Sequence, residues 1–240
     1  MLLLLMVGNL PVSFAAVFKE SIWVDVGFIL TESAGKYGTA AIILITSFCY
    51  TIRVESKIMK LHTFIKSFVA VSLFIGALAF VNEYLTKPLL KEVRPSHHYI
   101  ANQLGVSHQL DSVYQFTKTQ RKYYFDQLIQ NNETYFSNID IKVLHHWIEE
   151  AGYSFPSGHS FNAYLLATVM AFSIFNATNK KLHKYFWAPF LWAFMVALSR
   201  VAIGAHNPLD VIVGALAGFT ISAVFIYFDT TRKLLIHKKE

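Results

Sequence analysis

Three short polar runs in this chain combine fixed cations with groups able to move a proton: Lys87-x6-Arg94-Pro95, Pro156-Ser157-Gly158-His159 and Ser199-Arg200-x5-His206-x3-Asp210. Lys87, Arg94 and Arg200 supply three cations for one anion. Arginine grips a phosphate with two parallel hydrogen bonds, while lysine acts as a point charge. The Ser157-Gly158-His159 turn leads straight into an apolar stretch. Its backbone N–H groups therefore stand at a helix N-terminus, where the dipole also favours an anion, and Gly158 lets that backbone approach a ligand closely. Asn207 is a good N-cap and Pro208 suits the first helical position, which puts Asp210 in the first turn. From there a carboxylate can fold back on His206 and hold one ring nitrogen as N–H, leaving the other free to attack phosphorus. His159, on a different loop, is available as general acid for the leaving oxygen. Singly, each run has a plainer reading. Lys87 and Arg94 can be snorkelling anchors, Pro-Ser-Gly a turn into a helix, and Asn207-Pro208 with Asp210 an ordinary helix start.

The elements that must position these residues are membrane helices. Of 240 residues, 54% are apolar and 15% charged, with mean hydropathy +0.40, whereas soluble domains carry about a quarter charged residues. Such hydrophobicity excludes disorder, and the lone Cys49 excludes an internal disulfide scaffold. Six stretches approach the roughly 20 apolar residues that a membrane helix needs: 1–18 (interrupted by Pro11), 37–52, 67–85, 161–175, 185–202 and 209–228. The last carries Gly214-x-x-x-Gly218, a weak signal for close approach of a neighbouring helix. Arg53, Lys57, Lys60 and Lys66, then Lys180, Lys181 and Lys184, then Arg232, Lys233, Lys238 and Lys239 all fall on one side. The short loops opposite hold only Lys19, Lys36 and Arg200. The positive-inside rule thus predicts both termini in the cytoplasm, and the net charge of +6 reads as topology rather than as a nucleic-acid patch. Stretch 1–18 lacks the basic start of a signal peptide and is read as a true span. All three polar runs then share the outer face, which is what makes them a site together.

One hydrophilic segment, 86–160, lies on that outer face, with seven basic and seven acidic residues. Asp140 is predicted to cap a helix whose Ile141, Leu144, Trp147 and Ile148 share a face, with Gly152 just past its end. A second helix is expected over about 111–130, and 19–36, around Trp23 and Phe28, as an amphipathic segment in the interface. Glu83, four residues before Lys87, is expected to pair with it, with contact between Asn82 or Glu83 and a lipid headgroup as the less favoured reading. His97, His98, His145 and His146 lack the carboxylate-assisted spacing of a metal site and read as surface or hydrogen-bonded residues. Cys49 reads as a packed apolar residue.

The three runs match, without substitution, the signature of the type 2 phosphatidic acid phosphatase (PAP2) superfamily, and the chain resembles its membrane members over nearly its whole length. The run from Glu149 and Glu150 through Gly152 and Phe155 to His159, the long outer segment and Pro11 are similar to bacterial phosphatidylglycerophosphate phosphatases of the B type. The resemblance implies an all-α membrane protein: a single domain over 1–240, six transmembrane helices, and a helical periplasmic segment between the third and fourth. It implies His206 as the nucleophile forming a phosphohistidine, Asp210 orienting it, and His159 protonating the leaving alcohol. Lys87, Arg94, Ser157, Gly158, Ser199 and Arg200 would hold the phosphoryl oxygens. It implies no metal and no cofactor, a lipid phosphate substrate and membrane lipids as partners, and a bacterial inner membrane with the site facing the periplasm. Self-association has no signature in the sequence. Phosphotransfer to another acceptor, a vanadate-dependent haloperoxidase, and a lipid transporter with a retained anion site are the competing readings.

Overall fold

The computed structural model describes residues 22–51, 56–175 and 180–227, together with Val17, Lys19 and Val54. The expected span 1–18, with Pro11, lies outside the described residues except for Val17, as do Arg53 and the basic residues after 227. Among the described residues the chain is helical and has no strand. Its main helices are α1 (Ile22–Ser33), α2 (Lys36–Thr51), α3 (Lys57–Val81), α4 (Pro95–Gln103), α5 (Lys118–Gln130), α6 (Ile141–Glu149), α7 (Gly158–Phe175), α8 (Ala188–Ala202) and α9 (Pro208–Tyr227).

Two continuous helical stretches among the described residues are long and apolar enough to cross a membrane, Lys57–Leu90 and Lys180–Ala202. A third span results if the bent pair Val24–Ser33 and Lys36–Phe48, which meet at 53°, is counted as one. The α3 stretch begins ten residues before the expected span at 67. Along it Ile58, Leu61, Ile65, Leu73 and Phe80 are exposed, an apolar strip that only lipid or another apolar partner would cover. α7 is different. It sits in the middle of the bundle, most of its residues buried against α8 and α9, and its first turns carry the polar residues of the site.

The α7–α9 crossing is close because α9 presents Gly214 and Gly218 to it. A Cβ on Gly214 would lie 2.5 Å from the Ser157 carbonyl oxygen, and one on Gly218 would lie 2.2 Å from that of Phe161. The small-residue step thus brings two backbones into contact, as its spacing predicts. Alanines 163, 167, 193, 197 and 215 continue the same packing among α7, α8 and α9.

The 86–160 segment has its own core, in which Ile100, Phe125, Phe136, Val143, Leu144 and Trp147 are buried. Two expectations are corrected here. The helix expected over 111–130 is broken, with one turn at Leu110–Val113 and then α5 from Lys118. The break is written in a capping box: the Thr117 hydroxyl accepts from Gln120 N–H and the Gln120 side chain accepts from Thr117 N–H. α6 starts at Asp140 as predicted, with the carboxylate accepting from Lys142 N–H at 2.8 Å. Its inner face, however, uses Val143 instead of Ile141, which is 68% exposed. The 19–36 segment is also more than an interfacial strip. α1 packs on α8, with Thr31 Oγ1 2.9 Å from Ser199 Oγ, and Trp192 Nε1 donates to Ser33 Oγ at 2.9 Å.

Candidate active site

The Lys-x6-Arg-Pro run is shaped by how α3 ends. At Asn82–Thr86 the helix widens into a single π turn before resuming over Lys87–Leu90. The Lys87 N–H donates to the Asn82 carbonyl, an i→i+5 bond that stacks these two buried residues on one face. Lys91 adopts the left-handed conformation, φ 53°, and turns the chain back. Pro95 then bars the helical region to Arg94, which sits extended at φ −72°, ψ 143° as the N-cap of α4. The turn returns the Arg94 side chain to the side occupied by Lys87. Its Nε donates to the Gly152 carbonyl at 2.9 Å and its Nη1 to the Ala205 carbonyl at 3.0 Å. The pairing expected for Glu83 is present: Lys87 Nζ lies 2.7 Å from Glu83 Oε2, and Lys118 of α5 reaches the other oxygen at 3.4 Å.

The third run is closed by Gly204, whose φ of +70° ends α8 and lets the Ala205 and His206 amides donate back to the Arg200 carbonyl. His206 is thereby buried beside Arg200. Its Nδ1 lies 3.3 Å from Asp210 Oδ2, and a carboxylate only accepts, so Nδ1 carries the proton. Its Nε2 lone pair then faces Arg94 Nη1 at 3.4 Å. Asp210 Oδ2 also accepts from Asn207 N–H at 3.0 Å and from the Ser154 hydroxyl. Burial, with the Arg94 and Arg200 cations, holds His206 well below its ordinary value, which keeps Nε2 unprotonated.

Glu150 joins the cations. Its Oε2 accepts from Arg94 Nη1 at 2.7 Å and from Arg200 Nη2 at 2.5 Å, while Oε1 lies 4.0 Å from His159 Nδ1. Burial pushes this carboxyl up, but Arg200 and Arg94 overcome that and hold it well below the usual carboxylate range. Arg200 Nη1 donates to His146 Nε2 at 2.9 Å, so His146 is neutral with its proton on Nδ1. Its burial lowers its pKa to about 4.

The Pro-Ser-Gly-His turn is strapped to α9: Ser157 N–H donates to the Asp210 carbonyl at 3.0 Å, and its hydroxyl accepts from Ser160. That leaves the first-turn amides of Gly158 and His159, which no intrahelical carbonyl reaches. A cavity of 460 Å³ unites Lys87, Arg94, Gly158, His159 and His206, with Glu83 and Glu150 in its wall. Arg200 and Asp210 stand behind that wall, bonded to Glu150 and His206. Ser199 is not brought to the cavity, because its hydroxyl faces Thr31 and donates to the Val196 carbonyl.

Sequence reading passed over Glu150 and Ser154 as site residues, and weighed His146 and Asn82 only to set them aside. Ser154 and Glu150 lie within nine residues of His159, but only the fold turns them inward. His97, expected to be hydrogen-bonded or at the surface, is buried. Its Nε2 donates to the Trp147 carbonyl at 3.1 Å, and its Nδ1 accepts from Tyr114 Oη at 2.7 Å. The same hydroxyl accepts the Arg94 N–H, so this chain of bonds anchors the site's arginine to the core of the 86–160 segment.

Comparison with known proteins adds a family match and three relatives. The family model of the PAP2 superfamily matches residues 67–234. The chain is 26% identical over 154 residues to phosphatidylglycerophosphatase B of Haemophilus influenzae, covering 63% of this chain and 61% of that one. It is 35% identical over 97 residues to the bacitracin transport permease protein BcrC of Bacillus licheniformis, 40% and 42% of the respective chains. It is also 35% identical over 104 residues to phosphatidylglycerophosphatase B of Bacillus subtilis, 37% and 50%. The matches span less than two thirds of each relative's length.

Proposed function

The chain belongs to the PAP2 superfamily, and from that membership we propose that it is a metal-independent lipid phosphate phosphatase acting through a phosphohistidine on His206. The observation that carries the reading is the cavity in which His206 Nε2, its proton held on Nδ1 by Asp210, faces a cluster of cations with His159 in the same wall. Nε2 attacks phosphorus, the P–O bond to the lipid breaks, and His159 gives its proton to the leaving alkoxide. Water, passing a proton to His159, then attacks phosphorus; the N–P bond breaks, its electron pair returns to Nε2, and inorganic phosphate leaves. Asp210 offsets the positive charge that develops on the phosphorylated ring. Lys87, Arg94 and the Gly158 and His159 amides hold the phosphoryl oxygens, whose charge rises in the transition state, and Arg200 joins them as the phosphate draws it away from Glu150. Ser157 positions that turn, and Ser199 holds α8 on α1 beside Arg200. Before substrate arrives Glu150 bridges the two guanidinium groups; an incoming phosphate takes over part of that bonding.

Phosphatidylglycerophosphate is the substrate suggested by two relatives' names, with undecaprenyl pyrophosphate and phosphatidic acid as further candidates. The domain over 1–240 crosses a bacterial inner membrane six times with both termini in the cytoplasm, and the cavity faces the periplasm. The exposed apolar strip of α3 and the basic loops support this placement.

Transport is the second reading, favoured by the name of the Bacillus licheniformis relative. A translocation site needs no acid and no nucleophile. The test is phosphate release by detergent-solubilised protein in EDTA, from each candidate lipid, beside His206→Ala. Metal-independent release that disappears in the variant is the expected result. No release from any lipid by folded wild type overturns the phosphatase, and lipid movement unaffected by His206→Ala favours transport.

A further inference from the structure

The cavity also carries two carboxamides, Asn162 and Asn82, that the reaction just described does not use. Asn162 follows His159 by three residues on α7, so it projects on nearly the same side, roughly 4.5 Å deeper along the helix. It lines the same cavity. Its Oδ1 is shielded from solvent yet accepts no hydrogen bond among the described residues, and of the buried polar atoms in that condition it is the one lining this cavity. Buried hydroxyls on α7 satisfy themselves: Thr168 and Ser173 donate to carbonyls one turn back. A carboxamide oxygen has no proton to give and needs a donor from elsewhere. Without one, its desolvation goes uncompensated. Asn82, the first residue of the π turn of α3, lines the same cavity, with Nδ2 3.6 Å from where a Cβ on Gly158 would begin.

We infer that Asn162, with Asn82 in the same cavity, binds a hydroxyl on the carbon next to the one bearing the phosphate ester, so that the protein selects glycerol-type phosphate monoesters over those with a plain hydrocarbon leaving group. The inference rests on the phosphatase reading, because it takes the leaving oxygen to be the atom that His159 protonates. A hydroxyl one carbon along from that oxygen lies deeper by a displacement comparable to the rise between His159 and Asn162. There it donates to Asn162 Oδ1 and accepts from Asn82 Nδ2. A prenyl chain can do neither, and an acylated oxygen can accept but has nothing to donate.

The test compares kcat/KM for a 1-acyl glycerol 3-phosphate carrying a free 2-hydroxyl with that for its 2-deoxy analogue, which has the same phosphate and acyl chain. Wild type is expected to prefer the hydroxyl substrate by about tenfold, the effect of one well-made hydrogen bond in a desolvated site. In Asn162→Leu that ratio falls towards one, and in Asn162→Ser, which keeps a shorter acceptor, it stays intermediate. Because the readout is a ratio, partial loss of folded protein cancels. Equal rates on the two substrates in wild type overturn the inference whatever the variants do. An unchanged ratio in Asn162→Leu also overturns it, marking Asn162 as structural. Release from neither substrate by wild type removes the phosphatase reading itself and the inference with it.

Discussion

Arg94 shows how much one side chain carries here. It touches His206, Glu150 and three backbone carbonyls, so it contributes charge to the cradle and lowers the proton affinity of His206. Arg94→Gln should therefore cost activity by about 10²–10³-fold, the scale of losing one preorganised transition-state donor. It should also raise the His206 pKa, so the acid limb of the residual activity moves to higher pH; a pH–rate profile of the variant checks both. Glu150 predicts the reverse kind of effect. Replacing it with Gln leaves two buried guanidinium groups facing each other, which should destabilise the protein by about 3 kcal/mol. Vanadate or phosphate should restore much of the thermal midpoint in that variant by supplying the missing negative charge, and thermal unfolding with and without the anion tests this. Both arginines stand out in the sequence because Arg-Pro and Ser-Arg occur in recognisable runs. Glu150 does not, because a glutamate nine residues before a histidine looks like any surface acid until α6 is folded against the turn.

At the scale of elements, the site depends on how closely helices approach. The Ser157 turn rests directly on Gly214, 2.5 Å from where its Cβ would be, and Asp210 holds the Ser157 amide from the same helix. Gly214→Ala must push the turn away from α9, shifting Gly158 and His159 relative to His206. We expect a loss of kcat/KM of at least about 100-fold, since small misplacements cost that much, with a smaller effect on stability of about 1–3 kcal/mol. Activity and thermal unfolding of the variant, measured side by side, decide whether displacement or destabilisation dominates. The Gly-x-x-x-Gly step was visible in the sequence as a weak signal, but its partner was not. Likewise the Thr117–Gln120 capping box is legible in the sequence, yet weaker periodicity over 111–130 masked the break it imposes. The face of α6 moved from Ile141 to Val143 because the first residue of a helix projects away from the core that the later turns meet.

The whole molecule joins an apolar helical bundle to the 86–160 segment with its own buried polar chain, and its response to acid follows. His97 is buried and its pKa is lowered from 6.5 to about 3, and that of His146 falls to about 4. Below 6.5 the unfolded chain takes up protons that the folded protein refuses, so stability is full above that value and declines as pH falls. Glu150, held well below its ordinary 4.5 by the arginines, adds a further loss as pH drops below that value. The thermal midpoint in one detergent should therefore fall on acidification from 6.5 to 4.5, and less steeply in His97→Gln; a flat wild-type profile would contradict this. By itself the sequence determined the chemistry available: which residues carry charge and protons, their placement at the ends of apolar stretches, and the helical class, because residue type and spacing are local properties. Only the tertiary structure decided which groups meet. The Lys91 turn, the π turn of α3 and the glycine contact of α9 set the distances between residues far apart in the chain. Those distances turn Ser199 away, bring Glu150 in, and leave Asn162 Oδ1 without a donor among the described residues, since burial and hydrogen-bond partnership are fixed by packing between elements rather than by any run within one.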